Sequence, residues 1–138
     1  MSASLGLALH FEVVIDDFDL GTWSKCEGLV VKFDVIDHAN SVDDYVHRMP
    51  GATNYENIRL TRGVTQVSNS VSAWLSAQRR APTKGTGAIT LMDSSRTAVM
   101  VWELFGVLPV RWAGPTLDVG ASQVAMETLE LAHEGFLL

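Results

Sequence analysis

Histidines and acidic residues are the side chains in this sequence with the clearest capacity to bind a metal. The four histidines are His10, His38, His47 and His133. They lack the i, i+4 spacing and the cysteine partners with which a single element holds zinc. Asp37, His38 and Asp43 would hold a cation only if the chain brought them together in space. Scattered histidines are more often ordinary strand-face or surface residues, so the pattern predicts no metal site.

Motifs for nucleophilic catalysis and for phosphate binding are also missing from the sequence. There is no G-x-S-x-G elbow, and the single cysteine, Cys26, has only Lys25 beside it to favour a thiolate. The stretch Gly85-Thr86-Gly87 lacks both the third glycine and the strand-to-helix transition of a phosphate-binding loop. We therefore predict neither a nucleophile nor a nucleotide cofactor.

Three glutamates near the C-terminus, Glu127, Glu130 and Glu134, are close enough in sequence to be considered as a catalytic acid and base. Their offsets of three and four residues do not place all of them on one face of a strand. A paired acid and base is therefore not predicted. Taken with the missing motifs, this predicts a protein that is not an enzyme, with no catalytic residues, cofactor or metal.

Length and composition predict one domain that spans residues 1–138. The chain has 138 residues, of which 47% are apolar, which is enough for one buried core. Its 16 acidic and 10 basic residues give a formal net charge of −6, which opposes binding to a phosphate backbone. The small basic cluster of Arg79, Arg80 and Lys84 lies where cations stabilise the end of a helix. We expect no sequence-specific binding of nucleic acid.

Targeting and membrane signals are not recognisable. Charged residues such as Glu12, Lys32 and Glu103 interrupt every apolar run before it is long enough for a transmembrane helix. Residues 1–11 lack the basic start and the cleavage site of a secretory signal. A lone cysteine cannot form an internal disulfide. These features predict a protein that is made in the cytoplasm and has no membrane partner.

The first part of the chain alternates short apolar runs with turn formers, which predicts strands. Residues 10–16 and 22–29 predict a hairpin with a turn at 17–21. Alternating apolar residues at 31–36 predict a strand with one buried face. Residues 38–55 are rich in turn formers and predict a long loop or an extended arm, which in a compact domain usually has a function.

The second part predicts one helix and the remaining strands. Strands are predicted at residues 56–63, 87–93 and 98–112. Residues 67–80 predict a helix of about three turns, because Val71, Trp74 and Leu75 lie on one stripe. Pro109 predicts a bulge, bend or edge position in its strand.

The final segment, residues 122–135, contains good helix formers but favours a strand. Its apolar residues change parity between Met126 and Leu129. A β-bulge near Glu127 or Thr128 would bring them to one face. The prediction here is a bulged strand, with helix as the competing interpretation.

Several sequence blocks resemble the tail tube family of contractile-tailed phages and extracellular contractile injection systems. VHRMPGATNYENIRLTRG, at 46–63, is similar to the family's R-K-L-P-G-x-x-x-Y-x-N-I-x-L-x-R-G. VAMETLELAHEG, at 124–135, is similar to V-A-x-E-x-L-E-L-x-H-E-G, and FEVVID with WSKCEGL resembles the opening hairpin. The resemblance spans nearly the whole chain. It departs at DVIDHANSVDD, at 34–44, where the family has E-Y-R-E-G-G.

The resemblance implies a mainly β fold of two antiparallel sheets packed as a barrel-like sandwich with one flanking α-helix. It implies a structural protein: an inner tube subunit that assembles as stacked homohexameric rings and forms a conduit for cargo. The implied partners are further copies of the chain, a contractile sheath protein, a baseplate or spike hub, and cargo in the lumen. The tube would be assembled in the bacterial cytoplasm as part of a phage tail or tail-like particle.

The resemblance also implies roles for individual residues. Those expected at contacts between subunits are Asp43, Tyr45, Val46, Met49, Pro50, Tyr55 and Asn57. Those expected to have structural roles are Gly28, Gly51, Gly63, Trp74, Trp112, Gly114 and Glu134.

Two other functions stay open at this point. A tube-initiating ring subunit, which links the baseplate spike to the tube, would share the same fold. A small metal-binding or hydrolytic β-barrel that uses His38, His47 or His133 belongs to a different class of protein.

Overall fold

The structure of the protein, a computed structural model, consists of β-strands and one helix at their flank. It describes residues 9–39, 45–64, 68–116, 118–120 and 125–137. The strands are β1 (His10–Ile15), β2 (Phe18–Trp23), β3 (Lys25–Glu27), β4 (Val31–Ala39), β5 (Val46–Tyr55), β6 (Ile58–Gly63), β7 (Gly85–Met92), β8 (Ala98–Ala113) and β9 (Met126–Ala132). The helix is α1 (Ser68–Arg80). Among the described residues, no helix has the length and apolar character needed to cross a membrane.

Seven strands form one antiparallel sheet in the order β2-β1-β7-β8-β9-β6-β3, and β4 and β5 form a second, two-stranded sheet. The long strand β8 pairs first with β7 and then, beyond Val107, with β9. Side chains from both ends of the large sheet, such as Trp23 of β2 and Leu60 of β6, belong to one core. The sheet must therefore fold over at β8 into two layers.

This arrangement confirms the predicted sheets and the flanking helix. The layers form a sandwich and not a closed barrel, because β2 and β3 end the sheet without pairing with each other.

The helix and the strand β6 show how the predicted periodicity builds the core. Val71 and Trp74 of α1 are buried, as are Ile58 and Leu60 of β6. Full burial of a valine, isoleucine or leucine side chain stabilises the folded protein by about 1.5–3 kcal/mol. The predicted helix and strand are confirmed, and residue 67 of the predicted helix lies outside the described residues.

The predicted hairpin at the start of the chain is present, but its predicted turn at residues 17–21 is wrong. Asp16 and Asp17 make the turn, and β2 already begins at Phe18. Asp16 has a φ of 51°, a left-handed conformation that aspartate tolerates and that a two-residue turn requires. The predicted strand at 22–29 is also divided, because the chain leaves β2 at Ser24 and continues as β3.

Residues 38–55 were predicted to form a long loop or an extended arm, and a loop is wrong for the part that the structure describes; residues 40–44 lie outside it. Residues 46–55 form β5, which pairs with β4 in an antiparallel ribbon, here called the β4–β5 ribbon. Pro50 fits in this strand because it faces Val35, where the register shifts at a bulge. The prediction of one buried face for residues 31–36 is also wrong, since β4 is exposed on both faces.

The C-terminal segment forms the strand β9, which confirms strand over helix. The bulge predicted near Glu127 or Thr128 is wrong, because β9 pairs with β6 in unbroken register. No bulge is needed: Glu127 takes an inward position with Leu129 and Leu131, and Met126 faces out. The register shift lies instead on β8 between Pro109 and Arg111, as Pro109 predicted.

A candidate assembly surface on the β4–β5 ribbon

The β4–β5 ribbon carries large apolar side chains that the rest of the chain leaves exposed. Phe33, the most exposed of the large apolar residues in β4, has 64% of its surface accessible. The exposed apolar residues of the ribbon and of the position just before β5 are Phe33, Val35, Ile36, Tyr45, Val46 and Met49. Apolar patches of this kind on a protein surface mark contacts with other molecules.

Both faces of the ribbon carry exposed apolar side chains. Ile36 lies opposite Met49, and Val46 lies opposite Ala39. Because side chains alternate along a strand, Ile36 and Met49 share one face, and Val35 and Val46 share the other. A two-stranded ribbon alone is marginally stable in water. Exposed apolar side chains on both faces make the ribbon a candidate for contacts with other molecules.

Polar pairs fix the register of the ribbon without covering it. Arg48 Nε lies 3.2 Å from a carboxylate oxygen of Asp37, and Asn54 donates a hydrogen bond of 2.9 Å to Asp34. Each pair joins β4 to β5, so the two strands cannot slip past each other without breaking it.

The base of the ribbon is attached to the C-terminal segment. The ring of Tyr55 meets the rings of His133 and Phe136 edge-on, with centroids 5.5 and 5.1 Å apart. His133 Nε2 lies 2.9 Å from the carbonyl oxygen of Glu56. The direction of the ribbon is therefore set by the same segment that contains the His133-Glu134-Gly135 motif.

Gly28 allows a close approach at this base. It has a φ of 98°, and a Cβ atom built on it would lie 1.9 Å from the carbonyl oxygen of Asn57. Glycine is the residue that adopts this conformation without cost and leaves room for a neighbouring backbone. Gly51 lies within the ribbon itself, where a Cβ would come 3.0 Å from the carbonyl oxygen of Asp34.

The other residues with predicted structural roles are distributed through the fold. Trp74 is in the core, and Gly63 ends β6. Glu134 forms an ion pair of 3.0 Å with Lys84. Gly114 packs beneath the ring of Trp112, where a Cβ would lie 2.8 Å from a ring carbon.

The residues predicted at contacts between subunits divide into two groups. Tyr45, Val46, Met49 and Pro50 lie on the exposed ribbon or next to it. The remaining described ones make contacts inside the chain: Tyr55 packs against His133, and Asn57 donates a hydrogen bond of 3.0 Å to Glu130. Asp43 lies outside the described residues.

A buried polar network, which the sequence reasoning missed, joins the two layers of the sandwich. Arg62 and Glu127 are only 3% and 1% exposed and form an ion pair between β6 and β9. Arg62 Nη1 also donates hydrogen bonds to the carbonyl oxygens of Leu20 and Thr22.

Two tryptophans complete this network. The guanidinium of Arg62 stacks 3.9 Å above the ring of Trp23, and Trp112 Nε1 donates a hydrogen bond of 3.1 Å to Glu127. The network thus connects β2, β6, β8 and β9. The signal that could have found it was the position of Arg62 and Glu127 inside the two most specific motif blocks.

The residues considered for catalysis are held apart from one another. Glu127 pairs with Arg62, and Glu134 pairs with Lys84. Asn57 first, and Arg59 next, lower the pKa of Glu130 through hydrogen bonds. No two of these glutamates are therefore paired as acid and base.

The histidine and cysteine candidates do not gather at one place, although two of the histidines are neighbours. His38 lies opposite His47 in the ribbon, whereas Asp37 is turned to the other face and binds Arg48. Within the described ranges, no group of three metal-ligating side chains comes together. Burial, and secondly the neighbouring Glu27, raise the pKa of Cys26 to about 11, which keeps the thiol protonated at neutral pH.

Comparison with known proteins identifies the family. The model of the family described as T4-like virus tail tube protein gp19 matches residues 7–137. No curated protein is significantly similar to the chain.

Several solved structures share the fold. A chain of an extracellular contractile injection system, in its "PVC sheath-tube complex in extended state", superposes with a TM-score of 0.74 at 22% identity, covering 91% of this chain and 84% of that chain. A chain of the anti-feeding prophage baseplate gives a TM-score of 0.72 at 21% identity, covering 98% and 94%. A chain of the anti-feeding prophage cap gives 0.70 at 24% identity, covering 88% and 81%.

Proposed function

Because the chain belongs to the T4-like virus tail tube protein gp19 family, we propose that it assembles as stacked homohexameric rings that form the inner tube of a contractile injection system or phage tail. The protein has a structural role in this proposal and catalyses no reaction. Further copies of the chain, a contractile sheath protein and a baseplate or spike hub are its partners. Assembly takes place in the bacterial cytoplasm.

The observation that carries this proposal is the β4–β5 ribbon, which has exposed apolar side chains on both faces. One neighbouring molecule can cover one face of a ribbon, so covering both requires two contacts. A ring that also stacks provides them, one within the ring and one between rings. Tyr45, Val46, Met49 and Pro50 are the described residues that we propose to make these contacts.

The large sheet offers a suitable wall for the conduit. Strands β1, β2 and β7 contain no lysine or arginine, and the exposed acids Asp19 and Glu103 lie on β2 and β8, whereas Glu12 of β1 pairs with Arg96. Opposite the core, this sheet presents Val14 and the small side chains of Thr86 and Ala88. We propose that this face lines the lumen, where its negative charge prevents polyanionic cargo from adhering.

A charge placed on the ribbon tests the assembly. Val46→Glu should prevent ring and tube formation and leave a soluble monomer, because a carboxylate cannot be buried in an apolar contact without a partner. Val119→Glu is the matched control, since Val119 is fully exposed outside the ribbon. Negative-stain microscopy and size-exclusion chromatography should show tubes for the wild type and for Val119→Glu.

Two outcomes of this experiment would contradict the proposal. Tubes that form normally from Val46→Glu would show that the ribbon is not the contact. A wild-type chain that forms single rings and never stacks would fit the tube-initiating ring instead.

A further inference from the structure

We propose that His38 and His47 of the β4–β5 ribbon bind one divalent transition-metal ion, such as Zn²⁺, which joins the two strands. The two residues lie directly opposite each other in the antiparallel register, near the end of β4 and the start of β5. Side chains of directly opposite residues share one face of a ribbon. The inference does not depend on the tube function, because the ribbon can bind an ion whether or not the chain forms tubes.

The separation of the two side chains suits a shared ion. Cβ atoms of directly opposite residues lie about 4.5–5.5 Å apart. This is close to the separation of about 5–6 Å at positions i and i+4 of a helix, with which two histidines of one helix hold zinc. An imidazole nitrogen from each strand can therefore lie at the Zn–N bond length of about 2.0–2.1 Å from one ion. The register of the ribbon thus supplies the spacing that the sequence lacks.

The neighbouring ion pair keeps the two histidines opposite each other. Asp37 precedes His38, Arg48 follows His47, and the Asp37 carboxylate lies 3.2 Å from Arg48 Nε on the other face of the ribbon. A slip of one strand past the other would break this pair. Among the residues that the structure describes, no third metal-ligating side chain gathers with the histidines. The two imidazoles are therefore the protein ligands, and water completes the coordination of the ion.

The two imidazoles are held differently. The ring of Tyr45 packs against that of His47, with centroids 4.8 Å apart and planes tilted by 55°. His38 is exposed, and its side chain forms no hydrogen bond or ion pair with any described residue. Exposed side chains change rotamer rapidly, so His38 can turn toward His47 without movement of the backbone. His47 is thus the packed ligand, and His38 is the ligand that closes on the ion.

The ligand type selects the kind of ion. Imidazole suits zinc, copper and nickel, whereas Mg²⁺ and Ca²⁺ need oxygen ligands. The other two histidines lie elsewhere: His10 is on β1, and His133 Nε2 lies 2.9 Å from the carbonyl oxygen of Glu56. A zinc titration should therefore report on His38 and His47, and His10 offers a control.

An ion at this place would stiffen the ribbon. A two-stranded ribbon alone is marginally stable in water. An ion that binds the paired strands more tightly than the separated ones favours the paired state by mass action. It would thus order the strand that carries Val46 and Met49 before other molecules contact it, which lowers the entropic cost of those contacts.

Calorimetric titration with ZnCl₂ tests the inference on the full-length chain after its metal has been removed with EDTA. The wild type should bind one ion per chain. His38→Gln and His47→Gln should each bind zinc about tenfold or more weakly, because one imidazole remains in place of two. The matched control is His10→Gln, which makes the same substitution outside the ribbon and should bind zinc like the wild type.

Amide hydrogen exchange shows whether the ion joins the two strands. Saturating ZnCl₂ should slow exchange of the amides in β5 of the wild type, and it should have no such effect in His38→Gln. The same concentration of MgCl₂ should change the exchange of neither protein. Both measurements are repeated in the Val46→Glu variant, because contacts between copies would hide the site and Val46 lies on the other face of β5.

Three results would overturn the inference. The first is no zinc binding by either the wild type or Val46→Glu. The second is equal zinc affinity of the wild type, His38→Gln and His47→Gln, since the ion would then lie elsewhere. The third is one ion for every two chains, which would place the ligands in two copies and not in one ribbon.

Discussion

Replacing Arg62 with methionine should destabilise the protein strongly, because it removes one partner of the buried ion pair with Glu127. Arg62 and Glu127 are 3% and 1% exposed, so solvent does not screen them. Removal of one partner from a buried pair costs about 3–5 kcal/mol, because the remaining charge loses its compensation. The variant also loses the hydrogen bonds to Leu20 and Thr22 on β2. We expect Arg62→Met to lower the free energy of unfolding by about 3–5 kcal/mol.

The double variant Arg62→Met/Glu127→Leu should recover much of this loss. Replacement of both partners by apolar residues leaves no uncompensated charge, and such replacements are often close to neutral. Trp112 loses its acceptor in the double variant, which limits the recovery by about 1 kcal/mol. The cost of the double variant should therefore be clearly smaller than the sum of the two single costs.

Arg59 provides a matched control on the same strand. It also pairs with a glutamate of β9, Glu130, at 3.3 Å, but its side chain is 55% exposed. Exposed pairs of this kind contribute about 0–1 kcal/mol. Arg59→Met should therefore cost under about 1 kcal/mol.

Guanidinium unfolding followed by tryptophan fluorescence measures these differences. The variants should be compared in the Val46→Glu background, so that assembly does not add to the stability of the folded chain. Trp23 lies under the Arg62 guanidinium and reports on this part of the core. Equal costs for Arg62→Met and Arg59→Met, or a double variant that equals the sum of the singles, would refute the reasoning.

Two further predictions concern single positions. Gly28→Ala should destabilise the protein by about 2 kcal/mol or more, because Gly28 has a left-handed φ and a Cβ would collide with the carbonyl oxygen of Asn57. Gly120→Ala, the control, should be close to neutral in thermal unfolding. Equal effects of the two substitutions would contradict the account. Alkylation of Cys26 by iodoacetamide should stay slow at neutral pH and accelerate toward pH 11, since burial raises its pKa from 9.0 to about 11. The free energy of unfolding should also fall as pH rises from about 9 to about 11, because the thiol of the unfolded chain ionises before that of the folded chain. Alkylation of the folded protein at the rate of a free thiol would contradict the raised pKa.

Periodicity predicted the elements that have one buried face. Ile58 and Leu60 alternate with polar residues because β6 has the core on one side only. The stripe of Val71 and Trp74 predicted α1 for the same reason. These patterns depend on burial within the chain, so a single sequence is enough to recognise them.

Alternation at residues 31–36 predicted the strand β4, but β5 could not be predicted in this way, because its apolar residues are not buried by its own chain. Pro50 and Gly51 indicated a loop, although a bulge in the ribbon accommodates the proline. In β5, Val46 and Met49 lie on opposite faces, so this strand lacks the alternation that marks a half-buried strand. The surface that we propose for assembly is therefore the part of the fold that the sequence pattern described least well.

Burial of charge was also hidden from the sequence. Arginine and glutamate usually lie on the surface, and nothing in the sequence around Arg62 and Glu127 predicts that these two side chains are buried. Both residues lie in motif blocks that resemble the tail tube family, but only the contacts with Trp23 and Trp112 show that they form a buried polar network.

Cryo-electron microscopy of the purified wild-type protein tests the central claim most directly. The account predicts six-fold rings that stack into a tube, with both faces of each β4–β5 ribbon covered by other copies of the chain and the acidic face of the large sheet toward the lumen. A stable monomer at high concentration, with Phe33 and Val46 still exposed, would contradict it.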